Sequence, residues 1–149
     1  MSLPLAGIRV LDLSSIIAAP VAATMLGDFG AEVVKVEEPV RGDFMRRSAA
    51  RQGGRSLQWV QDARNKTSIT LDLRKPEGRA IVHRLLDHCD VLVTNFRPPT
   101  LRRWGFDPDS IRTRHPRLIA LYVTGYGLSG PYSDRGAFDR VASAFAGLT

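Results

Sequence analysis

The fold class follows from one stretch, Asp90-Val91-Leu92-Val93-Thr94-Asn95-Phe96-Arg97-Pro98-Pro99-Thr100-Leu101-Arg102-Arg103-Trp104-Gly105-Phe106. Its β-branched run is typical of a strand buried on both faces. The prolines cannot continue a β ladder, so the strand must end near Asn95 and Phe96, and a short basic helix follows. In open parallel α/β sheets, ligands bind outside the carboxyl ends of the strands. This end carries an amide, an aromatic ring and three arginines, which favours a nucleotide with a long polar tail.

Strand and helix patterns alternate on either side of this stretch. Residues 8–13 and 31–37 predict two strands joined by a helix that begins near Pro20 and has its C-cap at Gly30. Further strands are predicted over residues 67–73 and 118–124, and further helices over 76–86, 109–115 and 139–148. The sequence therefore predicts an α/β fold, a Rossmann-like parallel sheet flanked by helices. Residues 38–64 show no clear period and predict a long irregular connection.

Length and composition indicate a soluble globular protein with one core. The chain has 149 residues, 44% hydrophobic and 24% charged, which is enough for one domain but not for two comfortable ones. Cys89 is the single cysteine, so no internal disulfide can form. The apolar run at 16–26 contains Pro20 and is too short to span a bilayer. With no secretory signal pattern evident, we expect a cytoplasmic protein without membrane partners.

The net charge of +6 is concentrated in one segment. Five arginines lie between Arg41 and Arg55, against Asp43 alone. Such a patch suits nucleic acid, a membrane surface or a polyphosphate ligand, and a merely solvated face is an equally good interpretation. Nucleic-acid binding is the weakest of these hypotheses, because the segment lacks interleaved aromatic residues and a known motif.

Several common sites are missing from the sequence. No Gly-x-Gly-x-x-Gly follows the first strand, and there is no P-loop. His83 and His88 lie on different faces of a helix, so with one cysteine no metal site is expected. Ser129 lacks the spacing of a nucleophile elbow and is interpreted as a turn residue.

Several spaced motifs occur together in one order, and these are Leu5-Ala6-Gly7-Ile8-Arg9-Val10-Leu11-Asp12-Leu13, Ala19-Pro20, Leu26-Gly27-Asp28-Phe29-Gly30-Ala31-Glu32-Val33-Val34-Lys35-Val36-Glu37, Gly42-Asp43, Asn65-Lys66, Leu71-Asp72-Leu73, Pro76-Glu77-Gly78, the strand and turn from Asp90 to Pro98, Gly125-Tyr126-Gly127 and Gly130-Pro131-Tyr132. This set resembles the opening of the family III CoA-transferases, a group that includes formyl-CoA and carnitine CoA-transferases and α-methylacyl-CoA racemases. The resemblance covers essentially the whole chain.

The resemblance implies a large Rossmann-like domain, an interlocked homodimer, and CoA bound along the strand ends. By position, the implied CoA contacts are Ile17, Ala18, Leu71, Asp72, Leu73, Arg74, Asn95, Phe96, Arg97 and Arg103. One departure concerns Glu38, which stands where some relatives have an arginine near the nucleotide. That contact would then pass to Arg41 or Arg46.

The resemblance also implies a transferase mechanism in which an aspartate forms anhydride and thioester intermediates. By the resemblance, that aspartate lies after the glycine-rich loop and the helix that follows it, beyond Thr149. The pattern of this last helix is cut short at the end of the chain, which suggests a part of something longer. We therefore expect residues 1–149 to be the N-terminal, CoA-binding part of a longer enzyme, inactive alone. A truncated, non-catalytic CoA or nucleotide-binding module is the alternative. A racemase is less favoured, since Phe138 occupies the position of the racemase histidine and cannot accept a proton.

Overall fold

The computed structural model describes residues 2–48 and 50–148. Its strands are β1 (Arg9–Leu13), β2 (Glu32–Glu37), β3 (Arg51–Gln52), β4 (Arg55–Ser56), β5 (Lys66–Thr70), β6 (Val91–Thr94) and β7 (Ile119–Tyr122). Its α-helices are α1 (Ala18–Asp28), α2 (Leu57–Asp62), α3 (Pro76–Leu86), α4 (Pro98–Trp104), α5 (Pro108–Arg114) and α6 (Asp139–Phe145), and a 3₁₀ turn covers Phe44–Arg46. The predicted α/β fold with a parallel sheet flanked by helices is confirmed.

Five strands form one parallel sheet in the order β5-β2-β1-β6-β7. The chain moves outward from β1 through β2 to β5 and then returns to the other side of β1 with β6. The direction of winding therefore reverses between β1 and β6, and such a reversal opens a crevice at the carboxyl ends of the two strands. The middle strand is β1, and β6, which contains the stretch quoted first, is its neighbour.

Helices cover the sheet on both faces. On one face, Val10, Val33 and Val93 pack with the small residues Ala19 and Ala23 of α1. On the other face, the leucines of β1 and β6 form a larger core with side chains from α3, α4 and α5, comprising Leu11, Leu13, Val82, Leu86, Leu92, Leu101 and Ile111. Each fully buried Leu or Val contributes about 1.5–3 kcal/mol, so these layers hold the sheet rigid beneath its carboxyl edge.

The prediction of an irregular connection over 38–64 is wrong in part. Gly53 and Gly54 have φ of 57° and 78°, the left-handed values that a two-residue turn requires, and they join β3 to β4 in a hairpin. Ser56 then caps α2, because its side-chain oxygen accepts a hydrogen bond from the Trp59 amide at 3.2 Å. These short elements leave no periodic signal in the sequence, because each is shorter than two turns of a helix.

The last helix forms where its spacing predicts it, but its apolar stripe does not enter the core. Phe138 is 73% exposed and Phe145 is 63% exposed, and no residue of α6 is buried. Tyr126, Tyr132 and Phe145 instead form a cluster of rings on the surface, with centroids 5.3–5.9 Å apart. None of the described helices is long and apolar enough to cross a membrane.

Candidate functional site at the carboxyl edge of the sheet

The crevice between β1 and β6 is closed at its base by the Asn95 side chain. Leu13 and Thr94, the last residues of the two strands, are register partners. Just beyond them, Asn95 Oδ1 accepts a hydrogen bond from the Ser15 amide at 3.0 Å, and Asn95 Nδ2 donates to the Ser15 carbonyl at 2.7 Å. The Asn95 amide therefore joins the two strand ends and fixes the backbone of the loop after β1.

That loop contains a strained residue. Ile16 has φ of +70°, which is costly for a β-branched side chain, and such strain persists only when the surroundings hold it. The Ile16 amide donates to Asp43 Oδ1 at 3.3 Å, and Ser15 is held by Asn95 as described. The loop then delivers Ile17 and Ala18 to the start of α1, where both are exposed and no side chain caps the helix. This arrangement presents their backbone at the mouth of the crevice.

A buried ionic cluster supports the loop from below. It consists of two acids and two bases, Asp12, Asp43, Lys35 and Lys66, whose side chains are at most 2% exposed. Lys35 Nζ donates to the Ser14 carbonyl at 2.9 Å and lies 3.1 Å from Asp43 Oδ2. Ser14 donates through its hydroxyl to Asp12.

Lys66 links this cluster to α1. Its Nζ donates to Asp12 Oδ2 at 2.8 Å and to the Pro20 carbonyl at 2.6 Å. Burial lowers the pKa of Lys66, and the adjacent Asp12 carboxylate opposes that shift. The two positive and two negative charges balance one another, so the cluster fixes the geometry of the loop and does not create a charged surface.

Sequence reasoning missed this cluster as part of the site. The signal was present, because Asp12 and Lys35 each interrupt an apolar run that predicts a buried strand. A charged residue in such a strand must find a buried partner. What the sequence does not give is the partner, since Asp43 reaches Lys35 from the segment after β2 only in the folded chain.

The loop after β5 lies on the same edge, beyond β2. Leu71 continues the pairing by donating its amide to the Glu37 carbonyl at 3.0 Å. Leu73 is 7% exposed and packs in the core, and its carbonyl accepts a hydrogen bond from Arg79 at 3.0 Å. Arg74 is exposed but already bonded to Asp72, with Nε donating to Oδ1 at 2.8 Å, and it lies 3.7 Å from Glu38. This hydrogen bond lowers the pKa of Asp72.

The turn after β6 supplies the remaining residues predicted for the site. The Phe96 ring packs edge-on against Trp104 with centroids 5.1 Å apart, while Arg97 and Arg103 are exposed at the two ends of α4. Arg102, the third arginine of the stretch, is instead bonded to Asp134 at 2.8 Å through both carboxylate oxygens. Two of the three arginines thus have no acidic partner among the described residues.

The predicted contacts are brought to one edge, but not to one point. From β5 to β6 there are three strand spacings, or about 14 Å. The Leu71–Arg74 loop, the Ile17–Ala18 backbone and the Asn95–Arg97 turn therefore form a row rather than a pocket. A row of this length fits an extended ligand and would not enclose a small one.

Arg46 has a fixed orientation beside the same edge. Its Nε and Nη2 each donate to the Glu37 carboxylate at 2.6 Å, and its guanidinium lies 4.1 Å from the centroid of the Trp59 ring. Burial acts to raise the pKa of Glu37, but hydrogen bonds from Arg46, Ser68 and the Asp43 amide outweigh it and lower the pKa to about 2. Glu37 is therefore ionised at neutral pH, and Arg46 is held by a permanent ion pair.

The family model described as CoA-transferase family III matches residues 5–149. The chain belongs to CoA-transferase family III. The resemblance inferred from the sequence motifs is confirmed.

Two relatives of this family III chain are named as CoA-transferases. It is 51% identical over 148 residues to the succinyl-CoA–L-malate CoA-transferase beta subunit of Chloroflexus aurantiacus. It is 41% identical over 146 residues to the human succinyl-CoA:glutarate CoA-transferase. The matches cover 99% and 97% of the chain but only 36% and 33% of the two relatives, so the chain spans about a third of their length.

Solved structures of the family share the fold. A CaiB/BaiF family protein from Brucella suis superposes with a TM-score of 0.88 at 37% identity, covering 99% of the chain and 40% of the solved one. A hypothetical protein from Mycobacterium tuberculosis superposes with a TM-score of 0.89 at 39% identity, covering 99% and 41%. The parallel sheet of the family III chain is therefore a shared feature of these proteins.

Proposed function

We propose that this chain is the CoA-binding, N-terminal part of an enzyme that moves CoA between an acyl-CoA and a free carboxylic acid. The observation that carries the proposal is the crevice between β1 and β6. There Asn95 is hydrogen-bonded to the strained loop after β1, and this loop places the start of α1 at the mouth of the crevice. Family membership supports it, because the relatives reported above are named as CoA-transferases.

Each predicted residue has a role in this proposal that its environment supports. The exposed Ile17 and Ala18 backbone offers amide donors to the polar tail of CoA. Arg97 and Arg103 offer guanidinium groups to its phosphates, since neither has an acidic partner among the described residues. Asn95 acts through the backbone it holds, and Phe96 supplies an apolar wall with Trp104.

The Leu71–Arg74 loop extends the row toward β5. In this proposal Arg74 contacts a phosphate of the coenzyme while its guanidinium stays bonded to Asp72. The Leu73 and Arg74 carbonyls are already held by Arg79. In this proposal the contact missing at position 38 passes to the exposed Arg41, because Glu37 already holds Nε and Nη2 of Arg46.

The covalent chemistry belongs to a carboxylate that we place outside residues 1–149. By the resemblance, an aspartate attacks the acyl-CoA carbonyl, the CoA thiolate leaves, and the thiolate then splits the mixed anhydride to give an aspartyl thioester and the free acid. The chain alone would bind CoA without turnover. The complete enzyme would be a cytoplasmic dimer; the naming of two relatives as alpha and beta subunits supports more than one chain.

A calorimetric titration of CoA tests the proposal. Arg103→Gln should weaken CoA binding about tenfold, because it removes one charge-assisted contact to a phosphate. Arg112→Gln is the control: it is an exposed helical arginine that already pairs with Asp109, and α5 leads to the amino end of β7. Equal affinities for wild type, Arg103→Gln and Arg112→Gln would contradict the proposed phosphate contact. Turnover by the 149-residue chain would contradict the placement of the nucleophile.

A further inference from the structure

A cavity of about 420 Å³ lies beside the carboxyl edge, outside the row of predicted CoA contacts. It is built by the β3–β4 hairpin and by α2, and its lining consists of Arg46, Gly54, Arg55, Ser56, Trp59, Val60 and Ala63. Two guanidinium groups and an indole ring therefore face the same space. The volume is that of a small-molecule site rather than of a groove for a chain.

The first guanidinium is pre-oriented for an anion. Glu37 is 4% exposed and holds Nε and Nη2 of Arg46, while the Trp59 ring covers one face. Within residues 2–48 and 50–148, no acceptor is found for Nη1 of Arg46. A cation whose rotamer is already fixed loses little entropy when it binds a ligand, so this donor is well prepared for recognition.

The second guanidinium makes the cavity mouth positive. Arg55 is exposed and pairs with no acid in the described part of the chain. Asp43, the sole acid among residues 41–55, is 5% exposed and faces Lys35, so it does not neutralise the cavity. The described lining of the cavity therefore offers an anionic ligand two arginines and no carboxylate, and the Glu37 carboxylate beside it is already bonded to Arg46.

A chain of hydrogen bonds connects the cavity to the crevice loop. Glu37, which holds Arg46, is the last residue of β2, and its carboxylate also accepts the Asp43 amide at 2.8 Å. Asp43 in turn accepts the Ile16 amide of the crevice loop. The cavity and the crevice loop are therefore joined by three successive contacts, from Arg46 to Glu37, from Glu37 to Asp43 and from Asp43 to Ile16.

We propose that this cavity binds the non-reacting carboxylate of a C4–C5 dicarboxylic acid, with Arg46 and Arg55 as donors and Trp59 and Val60 against its methylene groups. The inference rests on the proposed function and adds the substrate class to it. A dicarboxylate fits better than a nucleotide phosphate because apolar side chains line the space beside the two cations. The names of the relatives, which cite succinate, malate and glutarate, are consistent with this class.

Calorimetric titration with succinate and with butyrate tests the site, in the presence and absence of saturating CoA. Butyrate has the same number of carbons but one carboxylate, so succinate should bind at least tenfold more tightly. Arg55→Gln should weaken succinate binding about tenfold and leave CoA affinity within twofold. Arg84→Gln is the control, an exposed arginine of α3 outside the cavity lining, and should change neither affinity.

The outcomes separate this inference from the proposed function. Equal binding of succinate and butyrate, or an Arg55→Gln protein with unaltered succinate affinity, would overturn the dicarboxylate site while CoA binding stands. Loss of CoA affinity in Arg55→Gln, with succinate unaffected, would overturn it in favour of a phosphate site. If the wild type binds succinate but not CoA, the proposed function is contradicted and the dicarboxylate site is still supported. Arg55 is exposed, so its substitution should not disturb folding, which a thermal melt verifies.

Discussion

Two charged regions lie side by side at the carboxyl edge, and they use charge in opposite ways. Beneath the crevice loop, Asp12, Lys35, Asp43 and Lys66 are buried and balance one another. Along residues 41–55, the arginines are largely exposed and outnumber their acidic neighbours. Buried charges hold one geometry because an unpaired partner is very costly, whereas exposed charges remain available to a ligand. Buried, paired charges therefore fix the geometry of the crevice loop, whereas the exposed arginines are free to meet a ligand.

The largest effect should come from removing one partner of the buried cluster. Asp12→Ala leaves Lys35 and Lys66 buried without the carboxylate that both approach, and it should lower the free energy of unfolding by about 3–5 kcal/mol. Urea denaturation measures the change. Arg51→Gln, in the exposed region, serves as the control and should cost less than about 0.5 kcal/mol. Similar costs for the two substitutions would break the comparison.

A smaller loss of stability should follow when the charge of the Asp43 side chain is removed and its shape is kept. Asp43→Asn keeps an oxygen for the Ile16 and Met45 amides but takes the negative charge away from Lys35 Nζ, 3.1 Å distant. We expect a loss on the order of 2 kcal/mol in the free energy of unfolding, again by urea denaturation. An Asp43→Asn variant as stable as wild type would mean that hydrogen bonding alone, and not ion pairing, holds the strained loop.

The smallest effect concerns a buried polar pair that carries no charge at neutral pH. His83 Nδ1 lies 3.1 Å from His115 Nε2, and each residue is 7% exposed. Burial, together with the nearby Arg114 and His115, lowers the pKa of His83 to about 4, although Asp87 opposes the shift. The unfolded chain thus binds more protons than the folded one below the ordinary histidine pKa, and stability falls as the pH decreases from about 6.5 towards 4.

His83→Gln should remove about 1–2 kcal/mol of the stability lost between pH 6.5 and 5. Unfolding free energies measured across this pH range give the slope, and the absolute stability of the variant at pH 7.5 corrects for lost packing against Phe106. His88→Gln is the control, because His88 is exposed. An unchanged slope in His83→Gln would assign the acid sensitivity to another group, such as His115, whose pKa burial also lowers.

Much of the framework was predictable because local patterns agree with the final fold. The helix at Pro76–Leu86 has the predicted bounds, since proline starts it and its apolar stripe has one clear face. The strand ending before Asn95 was also predictable, because the prolines that follow the turn forbid a longer ladder. The hairpin and α2 were missed because strands of two residues and a helix of six leave no periodic signal.

The site itself was predictable only in outline. Apart from Arg103, which lies in the last turn of α4, the residues that the resemblance assigns to CoA lie along one edge of the sheet, and their binding role stays a prediction. The sequence did not reveal that Asn95 bonds the loop after β1, that Arg102 is taken by Asp134, or that Glu37 fixes Arg46. Each of these contacts joins residues far apart in the chain, or on different elements, and no local pattern encodes such pairs.

The sequence by itself determined the parallel α/β class, the family and the row of strand ends, because periodicity, prolines and ordered motifs are local properties of the chain. Only the tertiary structure decided which charges are buried together and which are left for a ligand. The reason is that burial depends on how elements from distant parts of the chain pack, and burial sets whether an aspartate or an arginine acts as a support or as a binding group.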